Sequence, residues 1–275
     1  MENKFPYKLK KEWYAVEFGF NNPTLLPYTL DLFNGYNQTA IQTTPNPILP
    51  PTVVSATVST VTNPSGVTFN SLNNTIYVAS GNSNFMSVIN ASTGLVASTI
   101  SVGSPHFYLV YNPVNNFIYA SDPNSAIVSV INCSTNLVVS TISTGLGSFP
   151  SGISYNPINN SVYVACSGAN NVTVISCSSN SITSTISTGA GSFGIAYNSL
   201  YNSMYVANGN STVSVINCNT NLLSSTLTFS GILEAISYNS MGNKMYITEI
   251  GTGQVLVLNC NTNTISSTIT VGASP

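Results

Sequence analysis

Arginine is absent from this chain, and charge of either sign is scarce: five lysines and seven acids make up 4% of 275 residues, for a net charge of -2. Soluble surfaces ordinarily carry about 25–35% charged residues. A phosphate-neutralising basic face cannot be built from so few cations, which excludes nucleic acid as a partner. Long hydrophobic runs are also missing. No stretch approaches the ~18–20 apolar residues that cross a bilayer, so membrane insertion is not expected. The start, Met1 to Trp13, has lysines but no apolar stretch of about 7–15 residues after them, so no secretory signal is read there. The five cysteines, Cys133, Cys166, Cys177, Cys218 and Cys260, are odd in number and show no CxxC spacing. That argues against both a disulfide framework and a structural metal site, and predicts unpaired, buried thiols.

What the chain has is repetition. Tyr77-Val78-Ala79-Ser80, Tyr119-Ala120-Ser121-Asp122, Tyr163-Val164-Ala165-Cys166, Tyr205-Val206-Ala207-Asn208 and Tyr246-Ile247-Thr248-Glu249 recur at spacings of 42, 44, 42 and 41 residues. A (Tyr/Phe)-Asn pair precedes each copy, a Val-Ile-Asn-Cys-like stretch follows it, and Ser-Thr-Ile or a near copy closes it. Each unit holds four short runs rich in Val, Ile, Thr and Tyr between Asn, Gly, Ser and Pro, the signature of four strands joined by tight turns. Gly94, Asn136, Asn180, Asn221 and Asn263 end the third connection, where positive φ is expected. No helical period appears after residue 51. Four strands in about 42 residues, five times over, is the arithmetic of a β-propeller blade.

The pattern resembles the YVTN-type β-propeller repeat family, through Tyr205-Val206-Ala207-Asn208 most directly. The resemblance spans roughly residues 51–275 and implies an all-β propeller of four-stranded antiparallel blades. The family asparagine is replaced by Ser80, Asp122, Cys166 and Glu249 in the other copies, so no family site transfers. Thr52 to Val61 resembles an orphan fourth strand, and Val271 to Pro275 resembles a linker into a further first strand. Either more chain follows Pro275, giving an incomplete ring here, or residues 51–62 add a strand to the last blade and close five blades.

Residues 1–50 differ from the rest. They hold four of the five lysines, the only tryptophan, and a Pro-rich end at Thr44 to Pro51. This arm is expected to anchor the chain on another protein, with Trp13, Tyr14 and Phe18 buried against it, since aromatic residues dominate such anchors.

Chemistry is thinly supplied. Residues 51–275 contain only Asp122, Glu234, Lys244, Glu249 and one histidine, His106. No catalytic residue, cofactor site or metal site is assigned. His106 reads as a solvated loop histidine or a polar group on a ligand face. The linkers and the second-to-third loops share one end of a propeller, which collects His106, Phe107, Asp122, Phe149, Phe193, Glu234 and Glu249, with Phe229 nearby. Aromatics among small polar groups suit a sugar or protein ligand. Glu234 with Glu249 keeps a propeller hydrolase as a remote alternative, if their carboxyls stand about 5–10 Å apart.

The scarcity of charge has a physical reading. Below about pH 4 carboxylates are neutral, and remaining cations would make the surface self-repelling. Serine, threonine and asparagine avoid this. Sequons at Asn37, Asn73, Asn90, Asn132, Asn159, Asn171 and Asn210 offer glycans as a second route to solubility. An exterior surface without a signal sequence is satisfied by a virion component, made inside a cell and exported in a particle. The leading expectation is therefore a non-enzymatic virion structural or attachment protein within an oligomeric assembly, its loop face meeting a host receptor or glycan. The alternative is a cell-surface or S-layer-associated adhesion protein of an archaeon or bacterium.

Overall fold

A computed structural model describes residues 58–272; Trp13, Tyr14, Phe18 and Asn37 lie outside the described residues. The chain divides into two units, Met1–Thr57 and Val58–Pro275. Within the second, the described residues form twenty strands and no helix.

The strands build five four-stranded antiparallel sheets, each ordered as the chain runs. Sheet 1 is β1 (Pro64–Asn70), β2 (Thr75–Ser80), β3 (Phe85–Asn90) and β4 (Leu95–Ser101). Sheet 2 is β5 (Tyr108–Asn112), β6 (Phe117–Asp122), β7 (Ile127–Asn132) and β8 (Leu137–Ser143). Sheet 3 is β9 (Pro150–Asn156), β10 (Ser161–Cys166), β11 (Asn171–Ser176) and β12 (Ser181–Ser187). Sheet 4 is β13 (Ser192–Asn198), β14 (Ser203–Asn208), β15 (Thr212–Asn217) and β16 (Leu222–Thr228). Sheet 5 is β17 (Ile232–Asn239), β18 (Lys244–Ile250), β19 (Gln254–Asn259) and β20 (Thr264–Thr270).

Local chemistry explains the repetition. The first hairpins turn on Asn74, Asn116, Asn160, Asn202 and Asn243, all at φ between 46° and 57°. The third-to-fourth strand hairpins turn on Gly94 and on Asn136, Asn180, Asn221 and Asn263, again with positive φ as the sequence predicts. A bulge falls at the same place in every third-to-fourth strand pairing, for example between Val174 and Ile175. One extra residue there increases the local twist of each sheet.

The cores lie between sheets. Tyr77, Ala79, Val88 and Ile100 of sheet 1 pack with Ile118, Ala120, Ile131 and Cys133 of sheet 2, and the pattern repeats down the chain. Polar bonds set the order. Tyr77 donates to Asn136 Oδ1 (2.8 Å), Tyr119 to Asn180 (2.7 Å), Tyr163 to Asn221 (2.5 Å) and Tyr205 to Asn263 (2.8 Å), each in the next sheet. A second ladder links first hairpins: Asn70 to Asn116, Asn112 to Asn160, Asn156 to Asn202 and Asn198 to Asn243, at 2.8–3.0 Å. Burial pushes the four bonded tyrosine phenols well above their ordinary pKa. All five cysteines are free and buried: Cys133, Cys177, Cys218 and Cys260 at one repeated place after the third strand, and Cys166 at the end of β10.

Innermost strands pack in succession, β1 on β5, β5 on β9, β9 on β13 and β13 on β17, but no comparable packing joins β17 to β1 among the described residues. Sheet 1 differs at the places that receive a preceding sheet elsewhere. It has Phe69 where sheets 2–5 have tyrosine, Ala91 where they have cysteine, and Gly94 where they have the tyrosine-accepting asparagine. Val67 and Phe69 are exposed on that side. Its side chains therefore cannot accept the bond that a tyrosine from sheet 5 would offer.

Candidate functional site

The end of the array formed by linkers and second-to-third turns carries the candidate residues. The last residue of each second strand is one equivalent position, occupied by Ser80, Asp122, Cys166, Asn208 and, one residue before the end of β18, Glu249. All five are buried. Ser80 donates to the Thr62 carbonyl, and Asn208 accepts from Ser192 (2.9 Å) while donating to Thr212 and Ser214 (3.0 Å each). Glu249 accepts from Ser230 (3.3 Å) through Oε1 and from Thr252 (2.8 Å) through Oε2. Asp122 Oδ1 accepts the backbone N–H groups of Asn124 (2.9 Å) and Ser125 (3.1 Å), while its buried Oδ2 has no partner. These side chains close turns and hold linkers, the usual work of buried polar groups.

His106 is withdrawn from solvent rather than solvated, with 1% of its surface exposed. Its Nδ1 lies 2.7 Å from the Ser104 carbonyl and its Nε2 lies 2.9 Å from Ser129 Oγ. A carbonyl can only accept, so Nδ1 carries the proton and Nε2 accepts from the serine hydroxyl. Burial lowers the pKa of His106 below its usual value, against the Ser104 hydrogen bond and the Asp122 charge, which raise it. The Ser129–His106 pair has the reach of a nucleophile and its base. Ser129 is fully buried as well, and no substrate atom can approach it. The same third-strand serine anchors other linkers: Ser87 accepts from Val61 N–H (2.9 Å) and Ser214 from Gly189 N–H (3.2 Å). His106 is the linker anchor of sheet 2.

The residues that face solvent are Phe149, Phe193 and Glu234, with Phe107 half-buried. Phe107 lies against Gly81, Phe149 against Gly168, and Phe193 beside Gly191 and Gly209, so each ring rests on backbone that has no side chain to displace it. Phe149 is held at φ 47°, a conformation costly for an aromatic residue and one that keeps its ring outward. Phe229 packs into the core of sheets 4 and 5 instead.

Tyr108 was not singled out from the sequence. It stands where β1, β9 and β13 have Gly66, Gly152 and Gly194, and a Cβ at those glycines would strike the backbone of the next innermost strand. Tyr108 is half-exposed, and burial together with the Glu234 charge raises its phenol pKa. The acid on β17 thus acts electrostatically on the phenol of β5, although two sheets lie between them in the chain. The signal was there in the loss of the repeated glycine.

No family model matches the chain, and no curated protein matches it. Among solved structures, the chain is similar to Kuenenia stuttgartiensis hydrazine synthase at 14% identity, covering 81% of this chain and 91% of that one, with a TM-score of 0.59. Identity that low carries the fold and nothing of the activity. The supported architecture is all-β, with propeller-like four-stranded blades.

Chemically, the solvent-facing set offers two aromatic rings, a phenol and one free carboxylate. Of the two acids in sheet 5, Glu249 is engaged by two hydroxyls and buried, while Glu234 is exposed. Among the described residues no group of three or more His, Cys, Asp or Glu side chains converges as metal ligands would.

Proposed function

We propose that this chain is a non-enzymatic, surface-displayed β-propeller of the YVTN type that acts as a virion structural and attachment protein. Residues 1–50 anchor it to the particle, and the loop end bearing Phe149, Phe193, Tyr108 and Glu234 meets a host receptor or glycan. The observation that carries this reading is the division of polar groups at that end. His106, Ser129, Asp122 and Glu249 are sealed into turns and linkers, and what remains outside is aromatic surface with a phenol and one carboxylate. Aromatic faces stack on sugar rings or fill protein pockets, and the carboxylate accepts hydroxyl hydrogen bonds. The near absence of charge supports an exterior setting, where carboxylates lose their solubilising charge below about pH 4.

The anchoring half is tested by deleting residues 1–50 and producing the remainder in cells that assemble particles. The deletion product is expected to keep its β-sheet spectrum and melting transition yet to be missing from purified particles. Particles that carry it at the normal occupancy would refute the anchor.

A further inference from the structure

The opposite end of the array carries a row of aliphatic side chains. Each first hairpin places one at its tip: Leu72, Val114, Ile158, Leu200 and Met241, with 62–88% of their surface exposed. The tips are in register because the hairpins are bonded side by side through the asparagine ladder, at 2.8–3.0 Å per step. In the first four sheets the asparagine that reaches the next sheet also sets the tip, and Asn239 sets it in the fifth. Asn70, Asn112, Asn156, Asn198 and Asn239 accept the tip's own N–H through Oδ1, at 2.8–3.1 Å. A second bond fixes each hairpin to its neighbour in the same sheet, as where Asn116 donates to Ser134 and Asn202 to Asn219. Leu95, Leu137 and Leu222 add exposed aliphatic surface where the outermost strands begin, at the same end. An isolated exposed leucine means nothing, but a contiguous row on a braced platform marks an interaction surface.

We infer that this row is a homodimer face, on which a second copy of the chain packs its own row antiparallel. Three observations select that occupant. The ten hairpin turns at this end contain no charged residue, and the one charge beside them, Lys244 at the start of β18, lies against the fifth first hairpin and would face the partner's uncharged first, so two copies meet without like-charge repulsion. The tip N–H groups are already satisfied by asparagine, so covering them with apolar surface strands none of them. Only a surface with the same repeat spacing can match all five tips at once, and a second copy has that spacing by construction. Eight such side chains at roughly 80 Å² apiece supply most of the ~800 Å² per partner of a standard interface.

In an isologous pair the third tip lies opposite itself and the first opposite the fifth. The test is sedimentation of the full chain from 5 to about 200 μM together with single-cysteine crosslinking. The expected result is a dimer that falls to monomer, with at least a thirtyfold weaker association, in the variant Leu72→Ser, Val114→Ser, Ile158→Ser, Leu200→Ser, Met241→Ser, whose melting transition is kept. Ile158→Cys is expected to crosslink to itself, and Leu72→Cys to Met241→Cys but not to itself; the native thiols are buried and give little background. A wild-type monomer across the range, a dimer that survives the serine changes, or Leu72→Cys crosslinking to itself would each overturn the inference. So would a monomer that floats with neutral phosphatidylcholine vesicles, which would make the row a lipid contact.

Discussion

Replacing Asn156 with alanine isolates the bond that holds neighbouring sheets in order. Asn156 has no exposed surface; its Nδ2 donates to Asn202 Oδ1 at 2.8 Å and its Oδ1 accepts the Ile158 N–H at 2.8 Å. Asn202 keeps the Tyr197 hydroxyl at 3.1 Å, so its oxygen is not orphaned. The variant therefore loses two neutral hydrogen bonds, leaves one part-buried N–H short of a partner, and opens a small void. These contributions come to about 2–4 kcal/mol. For a unit of this size that is a fall of roughly 5–15 °C in Tm. Asn90 is the built-in control. It caps its turn in the same way, accepting from Ser92 (2.9 Å) and Thr93 (3.2 Å), but it is exposed and bridges nothing. Asn90→Ala returns its N–H groups to water and costs under ~1 kcal/mol. Asn239→Ala, in the last sheet, belongs with Asn90, since its amide bridges to no further sheet among the described residues. Thermal melts followed by circular dichroism, with urea midpoints alongside, measure all three. Equal losses in Asn156→Ala and Asn90→Ala would refute the claim that the ladder carries the stability.

Three more outcomes follow from the same geometry. His106 is held neutral, so as pH falls below about 6.5 the unfolded chain takes up a proton that the folded chain refuses, and stability drops until the lowered folded-state pKa is passed; urea midpoints should show that slope between pH 7 and 5 in wild type and not in His106→Asn. Burial raises all five thiol pKa values, so a disulfide-exchange reagent should leave the native protein unmodified and titrate five thiols after denaturation; fast native reaction would contradict the packing. All four of Asn73, Asn159, Asn90 and Asn210 are exposed, but the Nδ2 groups of Asn73 and Asn159 are engaged with the Cys133 and Cys218 carbonyls, at 2.9 and 3.3 Å, while those of Asn90 and Asn210 donate to no group among the described residues. Expression in a glycosylating host, read by peptide mass mapping, should therefore find glycans on the second pair and not the first.

The sheets were legible in the sequence because five copies repeat every turn residue, and Asn136 or Asn180 at positive φ leaves a two-stranded turn little alternative. The relation between first and last sheets was not legible. It depends chiefly on Gly94, whose meaning appears only once Asn136 is seen to receive Tyr77 of sheet 1, beside Asn116 and the Cys133 carbonyl, which receive Asn70 and Asn73. The loop-end reading treated polarity as exposure at His106, Asp122 and Glu249, which are buried. Asp122 and Glu249 lie at the ends of paired second strands: β6 is buried along both faces, and the alternation along β18 turns Glu249 inward. His106 looked like loop because its neighbours are Gly103, Ser104 and Pro105, yet linkers here tuck onto the third strand through Ser129 and its equivalents. The hairpin-tip row was visible in the aligned repeats as one aliphatic residue per copy, overlooked because a lone Leu72 or Ile158 in a turn carries no signal by itself.

The central claim is that the exposed rings at the loop end bind a host surface without catalysis. Equilibrium binding of labelled full-length protein to host cell envelopes, compared with the variant Phe149→Ser, Phe193→Ser, tests it most directly. Both rings are exposed and rest on glycine backbone, so the variant keeps the wild-type melting transition. Aromatic anchors contribute roughly 2 kcal/mol or more each, so the account predicts saturable binding by wild type that weakens at least tenfold in the variant. Saturable binding of equal strength by both proteins, or none by wild type, would contradict it.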